Sequence, residues 1–298
     1  RKLRIMAGAN SAATQPNRME LMQQAEVQDV IQRKYAGLFA ALESAWSDAF
    51  SLMAVGARLG AGISEDRRLC LIAVYTKMIR LAYSAGQLCK LGLGLEAQLQ
   101  ARTMFENYLQ LKFLDHAENI DACASQYIYW DMANDEGVHE KILELHPELK
   151  PKIDEIRKPL LDFKASLSKS KWGDFVFYGP SRLSVFKLCE HIDKLEKSNV
   201  QVRTYKTLYH ETSGQAHGFD FLDYARRRGP NDVEALLAPA EERVEDVLVT
   251  VLITLSNTCK IVDNRLNLDK KGVIDKMDKT VQGAVLALPL MAGVTVSP

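Results

Sequence analysis

Of the 298 residues, 47% are apolar and 26% charged, a composition able to bury roughly three quarters of the surface that the unfolded chain exposes. The 38 basic and 38 acidic side chains cancel, so no whole-protein field gathers nucleic acid or an anionic membrane, although local patches can do so. Cys70, Cys89, Cys123, Cys189 and Cys259 form no CxxC pair and sit in apolar stretches, the pattern of reduced thiols in an intracellular, cytoplasmic protein.

Residues 1–18 lack periodicity and do not open with Met, and read as a flexible arm or a tag scar. Apolar residues recur at Ile31, Tyr35, Leu38, Leu42, Trp46, Ala49 and Met53, a spacing that predicts a helix over about 20–55. GARLGAG at 56–62 breaks it. Ser64, followed by Glu65 and Asp66, is an expected N-cap for a second helix carrying Leu69, Ile72, Tyr75, Ile79, Ala82 and Cys89. A third is expected over about 95–114, and a fourth from about Ala117, ending near Pro147. Shorter helices follow at about 152–169, 182–196 and 200–217. WGDFVFYGP at 172–180 has the aromatic and β-branched mix of a strand, but one strand makes no sheet. Val244, Leu248, Val251, Leu255, Cys259, Val262 and Leu266 mark the last long helix, with Asn231 or the Pro239 turn as its expected start.

The expected fold is all-α: a single-domain helical bundle over 19–268, with an irregular excursion near 170–180 and a peripheral tail over 269–298. No stretch reaches the roughly 18–20 apolar residues of a membrane helix, so no membrane is expected. The apolar run 284–296 is interrupted by Pro289 and Gly293. It is large enough to predict packing against the bundle, a second copy in a homodimer, or a partner protein.

Two helices carry candidate chemistry. Arg102 and Glu106, four apart on the third helix, share a sector with Leu95, Leu99, Leu109 and Phe113. The plain reading is an i,i+4 ion pair, exposed or buried. Near 200–217, Tyr209, Ser213 and His217 fall within about 80° of one another on a helix, with Arg203 and His210 close to the same side. Such a flank suits a phosphodiester: histidines move protons and the guanidinium meets the charge on the non-bridging oxygens. The structural alternative is a helix whose Tyr and His bond to neighbouring helices.

From about 95 to 220 the chain resembles a bacterial and phage family known as domain of unknown function 5677. The resemblance rests on the ARTMFE run with Arg102 and Glu106, the YIYW stretch, Trp172 in KSKWGDF, and the closing pattern Tyr205, Leu208, Tyr209, Ser213, His217, Gly218. It implies an all-helical intracellular domain in which Arg102, Glu106, Ser213 and His217 converge, and the family has no settled activity. A second resemblance is to HEPN ribonucleases, helical bundles of toxin and phage-defence systems whose site is an Arg and a His separated by four to six residues. Arg203 and His210 match that spacing at its outer limit, whereas Thr204 stands where such enzymes commonly carry Asn, Asp or His. This second resemblance implies metal-independent RNA cleavage, commonly completed across a dimer. The competing expectation is a non-catalytic helical module that recruits a partner protein.

Arg226, Arg227 and Arg228 follow closely, and Lys164, Lys169 and Lys171 precede Trp172; either run offers phosphate contacts or a solvated face. Glu136 and His139 make one ExxH element where a di-iron bundle requires two. His139, Glu140 and His146 do not make HExxH, and LGLG at 91–94 lacks the P-loop ending. Neither a metal nor a cofactor is expected.

Overall fold

Ser64 accepts a hydrogen bond from the Arg67 amide at 3.3 Å, and Glu65 and Asp66 occupy the positive first turn, so α3 (Glu65–Lys90) starts where its cap directs it. The computed structural model describes residues 18–56, 62–216, 225–229, 232–235, 241 and 243–288. Before α3 come α1 (Arg18–Lys34) and α2 (Ala36–Gly56). They meet at Tyr35, across which the Ile31–Tyr35 and Tyr35–Phe39 backbone bonds continue at 3.0 Å each, so the periodicity is nearly that of one helix. After α3 follow α4 (Gly94–Asp115), α5 (Ile120–Asn134), α6 (Glu136–Leu145), α7 (Lys150–Ala165), α8 (Lys169–Tyr178), α9 (Val185–Glu196) and α10 (Val200–Ala216). A hairpin of β1 (Ala225–Gly229) and β2 (Asp232–Ala235) precedes α11 (Val244–Leu266) and α12 (Lys271–Leu286).

The fold class is all-α, as expected. Three helices form its centre. α11 packs on α2, α3, α4 and α12 through Val247, Leu248, Val251, Leu252, Leu255, Cys259 and Val262, all at most 1% exposed. The buried Tyr75 hydroxyl is partnered: it donates to the Ala49 carbonyl at 2.8 Å and lies 3.2 Å from Cys259 Sγ. All five cysteines are free and buried, and burial pushes the Cys70, Cys89, Cys189 and Cys259 thiols up to about 12.

Four expectations are corrected. The 170–180 segment is neither an irregular excursion nor a strand: Ser168 caps Lys171 and begins α8, and Phe175 is buried against Phe163 and Trp172, so aromatic packing on one helical face overrides strand propensity. The strands lie instead at 225–235, antiparallel with Arg226 opposite Glu234 and Arg227 opposite Val233. The chain beyond 268 is not simply peripheral, because α12 buries Ile274, Met277, Val281 and Val285 in the same core. Ala36–Val55, although broken by polar residues, has the length and mean apolarity of a membrane span; its Leu38, Leu42, Ala45, Ala49 and Leu52 are buried in the bundle core. Residues 289–298, including Pro289 and Gly293, and residues 1–17 lie outside the described residues.

Candidate functional site

α10 is held in place by an acid on the preceding helix. Asp193 of α9, 5% exposed, accepts from Ser198 Oγ at 2.6 Å and from the Gln201 and Val202 amides at 3.0 and 2.8 Å. It satisfies the first amides of α10, which otherwise have no helical partner. Leu208 then turns into the core, and Tyr205 and Tyr209 stack with ring centroids 4.3 Å apart.

Tyr209 meets the Arg102–Glu106 pair of α4. Arg102 Nε donates to Glu106 Oε1 at 3.1 Å, the Tyr209 hydroxyl donates to the same oxygen, and the Arg102 guanidinium carbon lies 4.0 Å from the centre of the Tyr209 ring. The Arg102 side chain is 15% exposed and that of Glu106 38%. The pair is therefore neither fully buried nor an ordinary surface contact. Burial first, then the bond and charge of Glu106, push the Tyr209 phenol well above its ordinary range, against the pull of Arg102. Desolvation lowers the Arg102 pKa, yet its contacts with Glu106 and Tyr209 outweigh this and leave it raised. Both groups thus stay protonated donors at neutral pH, and neither can act there as a base.

Three of the expected site residues are brought together: Arg102, Glu106 and Tyr209. Arg203 is not with them. It sits about 120° from Tyr209 around α10 and lines a separate depression of about 590 Å³ together with Thr207, Glu245 and Asp246. His210 and Ser213 lie on α10, but their side chains, like His217 as a whole, fall outside the described residues. Arg226, Arg227 and Arg228 lie on β1, with side chains likewise outside the described residues.

Other singled-out residues serve the packing. Tyr127 donates to the Gln110 carbonyl at 2.8 Å, Trp130 Nε1 to the Val176 carbonyl at 3.0 Å, and Tyr129 packs on Phe163, so YIYW ties α5 to α4, α7 and α8. Lys164 Nζ lies 4.9 Å over the Trp172 ring. Glu136 pairs with Arg157. Among the described residues no group of three or more His, Cys, Asp or Glu is placed to hold a metal ion.

Sequence reasoning missed the wall beside the cluster. Glu106 and Tyr205 border a depression of about 530 Å³ between α3, α4 and the α8–α9 region, with Lys77, Thr103, Asn107, Tyr178 and Phe186 also on its lining. Lys77 was legible only as a cation on an otherwise largely apolar helix.

A family model matches residues 69–231, just over half of the chain. The chain belongs to DUF5677, a family of unknown function. No curated protein and no solved structure gives a match. The DUF5677 segment holds α4 and α10, and with them Arg102, Glu106, Tyr209, His210, Ser213 and His217. It does not hold α2, α11 or α12, so its buried face is completed by helices outside the family match.

Proposed function

We propose that this DUF5677 chain is a cytoplasmic, metal-independent ribonuclease of HEPN type, an effector whose reacting centre lies on the flank of α10 facing α4. The observation that carries the reading is the contact of Arg102 with Tyr209, because it sets a guanidinium, oriented by Glu106, beside the helix that carries His210 and Ser213; His217 follows one residue after its end in sequence. Arg102 is a better candidate than Arg203 for meeting the transition state, since Glu245 and Asp246 share the depression of Arg203 and oppose a phosphate there.

With Tyr209 and Arg102 held protonated, proton transfer falls to the histidines. One removes the ribose 2′-hydroxyl proton as that oxygen bonds to phosphorus; the P–O5′ bond breaks, and the other histidine gives a proton to the leaving 5′ oxygen. The products are a 2′,3′-cyclic phosphate and a 5′-hydroxyl end. Arg102 offsets the charge on the non-bridging phosphate oxygens, and Arg226–Arg228 supply further backbone contacts. The test is RNA incubated with the native chain in excess chelator and its products analysed for cyclic phosphate ends. His210→Ala and His217→Ala should each slow cleavage about 10²–10⁴-fold; cleavage that persists unchanged in both removes the centre from α10.

A second reading is favoured by the mutual satisfaction of Arg102, Glu106 and Tyr209. In it the cluster only ties α4 to α10, and the bundle is a partner-binding module. It predicts that these variants lose stability and that no RNA is cut.

A further inference from the structure

We infer that the seam between α3 and α4 is a binding track for unpaired RNA, with Lys77 and Arg80 contacting its phosphates and an aromatic wall around Phe177 stacking its bases. This deepens the ribonuclease reading and rests on it for the choice of RNA. A depression of about 640 Å³ on the seam is lined by Lys77, Arg80, Ser84 and Gln100. Lys77 also lines the depression beside Glu106, so the two depressions adjoin at that side chain, and the proposed track runs through both. From Gln100 to Gln110 it follows α4 for about 15 Å, room for a few nucleotides.

Its chemistry fits a single strand. Lys77 and Arg80, one turn apart, make no ion pair with a described residue, whereas Glu106, the one carboxylate among the lining residues, is already engaged by Arg102 and Tyr209. The groove therefore presents net positive charge although the whole chain is neutral. Thr103, Asn107 and Gln110 add hydrogen-bonding groups along it. At its far end Phe177, 75% exposed, sits edge-on to Tyr178 at 4.6 Å, and Phe186 faces Tyr205 at 5.3 Å. A cationic groove leading to exposed rings is the usual platform for unpaired bases, since every base has a face to stack. Tyr205 and Glu106 on that lining touch Tyr209 and Arg102, so a strand lying in the groove passes beside the proposed reacting centre.

The experiment is fluorescence anisotropy with a short labelled 2′-O-methyl oligouridylate, which lacks the nucleophilic hydroxyl and is not cut. The full chain should bind it with a salt-dependent affinity. The Lys77→Glu/Arg80→Glu variant should bind more weakly, its logarithmic salt slope smaller by about 1.4, from two phosphate contacts at about 0.7 each. Phe177→Ala should weaken binding roughly 5- to 150-fold, and both variants should keep the native urea midpoint. Absence of binding, unchanged affinity in both variants, or equal binding of duplex RNA would overturn the track. A chain that binds the oligonucleotide in this way and cuts no RNA keeps the track and loses the proposed cleavage.

Discussion

Replacing Glu106 by Ala isolates the contact that joins α4 to α10. Two charge-assisted hydrogen bonds end on its carboxylate, from Arg102 and Tyr209, and such bonds contribute about 1.5–3 kcal/mol each when well shielded. The 38% exposure of Glu106 lets water replace part of that, and Arg102 keeps its place over the Tyr209 ring. The loss should therefore fall at about 2 kcal/mol, between the less than about 1 of an exposed pair and the 3–5 of a stranded buried charge. Tyr209→Phe keeps the ring under Arg102 and removes one bond, costing about 1 kcal/mol. Urea melts of both single variants and of the double variant close the cycle, which should show a coupling above about 0.5 kcal/mol. Strict additivity, or a Glu106→Ala midpoint equal to the native one, would refute the contact.

Gly179→Ala should destabilise by about 1–3 kcal/mol, because φ at 179 is +79° and a Cβ there would meet the Trp130 ring at 3.3 Å; Trp130 fluorescence should shift with it. Burial raises the pKa of Glu196, but the hydrogen bonds from Lys112 and His116 more than offset this and hold it below the ordinary 4.5. Its stabilisation is then present above that value and lost as pH falls through the lower folded one. The native chain should exceed Glu196→Gln in stability at neutral pH, with the difference closing below about pH 4.5. A thiol reagent at pH 8 should leave the five buried cysteines unmodified in the native protein and label all of them in urea.

The helices were legible wherever local signals and packing agree, as at Ser64 for α3 and in the Val244–Leu266 periodicity of α11. They were misread where tertiary contacts decide. Phe175 draws Lys169–Tyr178 into a helix by packing on Phe163, and the pairing of 225–229 with 232–235 went unread because three consecutive arginines carry little strand signal. Within the candidate site, Arg102–Glu106 was visible as an i,i+4 pair. The bond from Tyr209, 103 residues away, has no local signature, nor does the capping of α10 by Asp193. The separation of Arg203 from Tyr209 follows from helix geometry, but which of the two faces α4 is settled by packing.

The most direct measurement is the single-turnover cleavage rate of RNA in chelator for the native chain, Arg102→Lys and Arg203→Ala. Arg102→Lys keeps the charge and removes the fork that Glu106 orients. The account predicts a rate lower by about 10² or more for Arg102→Lys, the scale of losing one oriented transition-state donor, with Arg203→Ala reduced far less. A native rate in Arg102→Lys with the activity of Arg203→Ala abolished would contradict it.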